Sequence, residues 1–166
     1  MSEKHFQIGV LTLSDKGSRG EREDESGPLL QQMVAPLGDI SRYQIMPDDL
    51  DQMILLLKHW VDDLHLDLIL TTGGTGLSPR DLTPQATNKV IDYQVPGMAE
   101  AMRAASYLKT PHAMISRAVV GVRQTTMIVN LPGSPKGAKE NFAVLLPALP
   151  HALAKLQGDK SDCAQN

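Results

Sequence analysis

The stretch Thr71-Thr72-Gly73-Gly74-Thr75-Gly76 sets three glycines directly after an apolar run. There the backbone can turn through positive φ and aim its N–H groups into open space, with the Thr75 hydroxyl as a further donor. Such a turn suits a phosphate or a carboxylate, although a plain tight connector between strand and helix needs the same glycines. The loop lacks the Lys-Ser/Thr ending of the P-loop and the spacing of the dinucleotide fingerprint, so neither of those sites is indicated.

Carboxylates come next. Asp81 follows in Ser78-Pro79-Arg80-Asp81-Leu82-Thr83-Pro84, and Asp48 stands in Pro47-Asp48-Asp49 at the end of another apolar run. Two carboxylates beside a phosphate-binding loop can hold Mg²⁺, which takes oxygen ligands and commonly shares them with substrate phosphates. Arg80 could meet phosphate oxygens in a bidentate fashion. Asp81 also reads as ordinary decoration of a helix start. Asp49 competes with Asp48, since one of the two should cap the following helix; the preferred assignment is Asp48 to function and Asp49 to the cap.

The stretch Asn130-Leu131-Pro132-Gly133-Ser134-Pro135 offers neutral hydrogen bonds from Asn130 and Ser134 and close approach at Gly133, and a simple turn explains it equally well. Ser14-Asp15 closes the first apolar run. Ser106 and Ser116 are structural by the physics of the sequence alone. His59 and Trp60 read as packing or surface residues, and the scattered histidines (His59 and His65 are six apart and face differently) give no metal spacing.

These residues must be carried by definite elements. Ile8–Leu13 reads as a buried strand, residues 15–25 as a mobile polar loop, and Ser26 as the cap of a helix with Pro28 in its first turn, reaching about Pro36. A strand at Ser41–Met46 is followed by a helix whose stripe Leu50, Met53, Ile54, Leu57, Val61, Leu64 recurs at helical spacing. Strands are expected at Leu66–Thr72 and Thr126–Leu131, and helices from Thr83-Pro84 and from Pro96-Gly97 to about Leu108. Met114–Val122 is ambiguous. A last helix runs from about Gly137 to Gln157, with Pro147 and Pro150 interrupting it.

Strands separated by single helices imply a three-layer α/β/α sandwich around a mostly parallel central sheet. Its strand ends would deliver all four loops to one edge, where open sheets bind ligands. The 166 residues fit one domain, taken as residues 4–157, with 158–166 as a polar flexible tail. The net charge of −3 gives no global attraction to nucleic acid or an anionic membrane. A single cysteine, Cys163, excludes an internal disulfide; with no apolar run near the roughly 20 residues of a bilayer span, a cytoplasmic location is expected.

Taken together, the motifs resemble the MogA family and the related G domain of gephyrin. The glycine loop followed by Pro79-Arg80-Asp81-Leu82-Thr83-Pro84 carries the likeness, with Pro47-Asp48-Asp49, Pro96-Gly97-Met98, Ile115-Ser116-Arg117 and Asn130 to Ser134 in the same order over about residues 6–156. The resemblance implies a trimeric ATP:molybdopterin adenylyltransferase that uses Mg²⁺ and releases pyrophosphate, and passes its product to a separate molybdate-insertion protein. It assigns Asp48 and Asp81 to catalysis and metal. It puts Thr75, Ser106, Ser116 and Asn130, and Ser14 and Asp15 of the first loop, at ligand-binding positions; with the loop chemistry above, Gly73, Gly74, Gly76, Pro132, Gly133 and Ser134 are also expected to bind substrate. Non-adenylylating relatives of the MoaB type tend to lose the Arg-Asp-Leu-Thr-Pro pattern that this chain keeps. Two alternatives remain: a carrier that binds molybdopterin without chemistry, and a pure interaction domain.

Overall fold

A computed structural model describes residues 5–160; residues 1–4 and 161–166, with Cys163 and most of the expected tail, lie outside the described residues. Strand β1 (Phe6–Leu13) is an interior strand of a six-stranded sheet, next to one edge. Its alternation explains the layers. Phe6, Ile8 and Val10 face one core with Leu68 and Leu70, while Leu11 and Leu13 face a second core with Ile69 and Ile128. A strand apolar on both faces must be covered on both.

The first face is covered by α2 (Ser26–Val34), α5 (Pro96–Tyr107), α6 (Pro135–Leu145) and α7 (Leu149–Leu156). The second is covered by α3 (Leu50–Asp62) and α4 (Thr83–Val90). On α3 the expected stripe delivers Met53, Leu57 and Val61 to the core, joined by Trp60, which is 2% exposed. Gly9 makes room for that indole: a Cβ there would lie 2.8 Å from Trp60 and Leu66 atoms.

With β2 (Gly38–Met46), β3 (Leu68–Thr72), β4 (Tyr93–Gln94), β5 (Val120–Arg123) and β6 (Thr126–Leu131), the sheet order is β2-β1-β3-β6-β5-β4, and β2, β3 and β6 run parallel to β1 or to each other. The chain steps from β1 outward to β2 and then returns across β1 to β3. The strand order therefore reverses between β1 and β3, which opens a crevice at their C-terminal ends.

Several boundaries differ from the sequence expectation, each for a local reason. The expected loop at residues 15–25 begins as a helical turn, α1 (Asp15–Ser18), because the Ser14 hydroxyl accepts from Gly17 N at 2.9 Å. Ser26 does not cap α2: Asp24 Oδ1 accepts from Gly27 N at 3.0 Å, and Ser26 Oγ instead donates to Gly133 O. The ambiguous Met114–Val122 splits into the end of a 3₁₀ turn (Pro111–Ile115) and strand β5 (Val120–Arg123), antiparallel to β6. Strand β4 (Tyr93–Gln94) is only two residues long, too short for any period to register. Pro147 lies in the break between α6 and α7, and Pro150 in the first turn of α7, as a residue without an N–H dictates. None of the described helices is long and apolar enough to cross a membrane.

Candidate functional site

The glycine loop leaves β3 at the crevice. Gly73 (φ +102°) and Gly74 (φ +68°) both occupy the left-handed region. A Cβ on Gly73 would stand 2.3 Å from Leu13 O, and one on Gly74 2.3 Å from Thr83 Oγ1, so neither position admits a side chain. Gly73 N donates to Leu131 O at 3.1 Å and is not available to a ligand. The N–H groups of Gly74, Thr75 and Gly76 make no hydrogen bond among the described residues.

Arg117 holds this loop open. Its backbone N donates to Thr75 O at 2.9 Å, while its guanidinium donates to Gly76 O (2.8 Å), Asp81 O (2.7 Å) and Gln85 Oε1 (3.1 Å). Arg117 thus engages the loop's carbonyls, while the N–H groups of Gly74, Thr75 and Gly76 keep no partner among the described residues. The sequence placed Arg117 in a motif without giving it a task. A guanidinium that serves three carbonyl or amide oxygens leaves no local sequence signal.

Asp48 and Asp81 reach the same side of the crevice from different segments of the chain. Asp48 Oδ1 would be 3.1 Å from a Cβ on Gly74, and Asp81 Oδ2 2.9 Å from one on Gly76. Asp49 caps α3 by accepting from Gln52 N at 2.9 Å, which leaves Asp48 for the site. Asp48 is 9% exposed, and its Oδ1 is the one buried side-chain polar atom without a hydrogen-bond partner among the described residues. Burial pushes its carboxyl above the usual range, with the negative charge of Asp15 adding to the effect.

Asp15 behaves in the opposite way. The Arg80 side chain grips it at 2.7 and 3.0 Å, Asp48 N donates to it at 3.0 Å, and its carboxyl is held below the usual range, chiefly by the Arg80 hydrogen bonds. Arg80, expected to meet phosphate, is thus committed to Asp15. Asp24, unremarked in the sequence, accepts from Thr12 Oγ1 (2.7 Å), Gly27 N and the Tyr43 hydroxyl, and so ties down the segment that walls the crevice. An acid three residues before a helical glycine was the signal that could have found it.

The loop divides the crevice into two cavities. The larger, about 730 Å³, takes in Ser14, Asp15, Asp48, Gly73, Gly74, Asp81 and Gly133. The smaller, about 310 Å³, takes in Thr75, Gly76, Ser106, Ser116 and Pro132. Ser134 lines both, and as the cap of α6 its oxygen accepts from Gly137 N while its proton stays free to donate. Gly133 packs against Gly73, 3.2 Å from its Cα at the Cβ position, and so fixes the spacing of the two loops.

Asn130 is the exception among the expected contacts. It is fully buried and lines neither cavity. Its amide donates to Thr71 Oγ1 (3.0 Å) and Thr87 Oγ1 (2.9 Å), and its oxygen accepts from Val119 N (3.1 Å), which ties β6 to β3, α4 and the approach to β5. A side chain so placed positions the loops and does not reach a ligand in this conformation.

The donor set fits a divalent cation at Asp48 and Asp81. A buried carboxylate oxygen lacking any partner is costly unless a charge or donor completes it. No group of three or more His, Cys, Asp or Glu among the described residues could hold a metal, so a cation here would complete its shell with phosphate oxygens and water.

An open α/β sheet with a glycine loop, unpaired N–H groups and acidic side chains at its switch point puts the protein in the doubly wound class, with a crevice whose backbone donors could receive an anion. The chain belongs to the family whose model is described as a probable molybdopterin binding domain, matched over residues 9–151. It is 39% identical over 157 residues to the molybdopterin adenylyltransferase of Helicobacter pylori, covering 93% of this chain and 89% of that one. It is 40% identical over 162 residues to gephyrin of Dictyostelium discoideum, covering 91% of this chain; it spans only 22% of that longer protein. The crystal structure of the molybdopterin biosynthesis enzyme MoaB from Thermus thermophilus superposes with a TM-score of 0.87 at 49% identity, covering 93% of this chain and 98% of that one.

Proposed function

We propose that this protein is a molybdopterin adenylyltransferase: it transfers AMP from ATP to the terminal phosphate of molybdopterin and releases pyrophosphate. The observation that carries the reading is the division of one crevice by a glycine loop whose Gly74, Thr75 and Gly76 N–H groups have no partner among the described residues, with Asp48, Asp81 and further acids on one side and Arg103, Lys109 and hydroxyls on the other. Two ligands that must bring phosphates together need such a partition.

The nucleotide is assigned to the larger cavity, because Asp48 and Asp81 stand there and a metal held by so few protein ligands needs polyphosphate oxygens. Bound Mg²⁺ would supply neutralisation of phosphate charge during transfer. The pterin is assigned to the smaller cavity, beside Thr75, Ser106 and Ser116. A phosphate oxygen of molybdopterin attacks the α-phosphorus; the bond from that phosphorus to the bridging oxygen breaks, and the electron pair leaves with pyrophosphate.

The attacking phosphate is already ionised, so no Ser, Cys or His nucleophile is required. The protein's part is placement and electrostatics. Gly74, Thr75 and Gly76 N–H groups receive phosphate oxygens, the Ser14 and Ser134 hydroxyl protons donate from the two cavity walls, and Arg117 keeps the loop in shape.

The test is pyrophosphate release by purified protein supplied with ATP, Mg²⁺ and molybdopterin. Stoichiometric release supports the reading. Pterin binding with no pyrophosphate would establish the carrier alternative. We further propose a homotrimer, supported by the exposed apolar group Tyr107, Leu108, Met114 and Ile115, in which Leu108 is 88% exposed. Light scattering would give its mass. A cytoplasmic location and hand-over to a separate molybdate-insertion protein complete the proposal.

A further inference from the structure

Glu140 has no part in the scheme above, yet it stands in the wall of the smaller cavity. It lies on α6, and its side chain is 29% exposed. Its Oε1 forms an ion pair with Lys109 Nζ at 3.1 Å, while Oε2 makes no hydrogen bond among the described residues. The remaining polar side chains of that wall are cations, hydroxyls, an imidazole and an amide, and none is restricted to accepting. Arg103 donates to Ala118 O at 2.9 Å, Asn141 Nδ2 to Gly137 O at 2.8 Å, and Ser134 Oγ accepts from Gly137 N. Glu140 is the one side chain lining this cavity that can only accept.

A pterin ring presents a fixed code along its pyrimidinone edge. The 2-amino group and N3–H are adjacent donors, followed by the 4-oxo acceptor. A carboxylate matches two adjacent N–H donors in the same forked manner in which it meets a guanidinium. Hydroxyls, which both donate and accept, do not discriminate between a 2-amino and a 2-oxo ring.

We propose that Glu140 is the specificity residue for the pterin: its carboxylate reads the 2-amino and N3–H edge, and Lys109 holds it in place for that contact. The proposal rests on the assignment of the smaller cavity to molybdopterin. It adds a residue, a ring edge and a rule of discrimination to that assignment.

Glutamine at this position exchanges one acceptor for a donor. The amide then suits a lumazine, in which a 2-oxo group replaces the 2-amino group, and no longer suits a pterin. The experiment uses intact protein as wild type, Glu140→Gln and Lys109→Met, with two probes, 6-carboxypterin and 6-carboxylumazine, titrated by their own fluorescence without ATP. KM for molybdopterin and for ATP are measured alongside.

Wild type is expected to favour the pterin. Glu140→Gln is expected to raise KM for molybdopterin about tenfold or more, the size of a lost charge-assisted hydrogen bond, to leave KM for ATP unchanged, and to reverse the preference between the probes. Lys109→Met, which keeps the carboxylate, retains the pterin preference with weaker binding. An unchanged preference in Glu140→Gln overturns the proposal, whether or not affinity falls for both probes together. Failure of wild type to release pyrophosphate would instead overturn the enzymatic reading, and the probe preference would still decide the role of Glu140.

Discussion

Asp48 and Asp81 stand in the larger cavity beside Asp15, Glu23, Asp24 and Glu25, whereas the smaller cavity presents hydroxyls, Arg103, Lys109 and the lone carboxylate of Glu140. One wall serves two chambers of opposite character. An acidic chamber repels a polyphosphate unless a cation is shared between them, so on the assignment proposed above nucleotide and metal would enter together. The hydroxyl-lined chamber is suited to a neutral ring through directional hydrogen bonds. The contrast teaches that the glycine loop is a partition as well as a source of backbone donors, with Gly73 and Gly74 on one side and Thr75 and Gly76 on the other.

The contrast breaks most severely at the acids. Asp81→Asn and Asp48→Asn are each expected to lower turnover about a hundredfold or more while molybdopterin affinity stays within about twofold, as losses of charge stabilisation confined to one chamber. Steady-state pyrophosphate release and pterin fluorescence check the two halves. Asp48→Asn carries a second signature. The carboxyl of Asp48 is raised by burial, so its charged form destabilises the fold; that penalty is absent below the usual carboxylate range and sets in as pH rises through it. Removing the charge should raise the melting temperature of metal-free protein at neutral pH by a few degrees, roughly 1 kcal/mol. Below about pH 4 the difference should vanish.

A blow to the partition itself should injure both chambers. Gly74→Ala places a methyl group 2.3 Å from Thr83 Oγ1 at a φ of +68°, and about 2–3 kcal/mol of stability should be lost, measurable by urea denaturation. Arg117→Met removes the guanidinium bonds that hold Gly76 O and Asp81 O. A loss of about 2 kcal/mol and a rise in KM for both substrates are expected. A change in KM for only one of them would show that the loop is not a shared wall.

The smallest effect serves as a control. Arg123 and Asp62 form a two-pronged pair at 2.8 Å, lining neither chamber, with side chains 22% and 32% exposed. Asp62→Asn should cost about 0.5–1 kcal/mol and leave turnover untouched. The Arg123 hydrogen bond holds the Asp62 carboxyl below its usual range, so this stability is present above that range and disappears as pH falls through it. Melting temperatures of wild type and variant should therefore converge in acid.

Much of this arrangement was written in local pattern. The α3 stripe, the glycines after β3 and the prolines at α4, α5 and α7 each act within a few residues, and such signals survive in a bare sequence. What could not be read were the long-range contacts. Arg80 appeared free for phosphate until Asp15, 65 positions away, was found to hold it. Asn130 appeared to be a ligand until three buried partners accounted for it. Arg117 and Asp24 went unassigned because their work is done largely on backbone atoms and distant segments. Four-residue β5 and two-residue β4 carried too few positions to show a period.

The most direct trial is a crystal soaked with molybdopterin, Mg²⁺ and a non-hydrolysable ATP analogue blocked at the α–β bridge. Polyphosphate density against Asp48 and Asp81, ring density beside Ser106 and Ser116, and the two phosphate groups meeting over Thr75 would match the partition described above. Both ligands competing for one chamber, or nucleotide density remote from the Asp48 carboxylate, would contradict it.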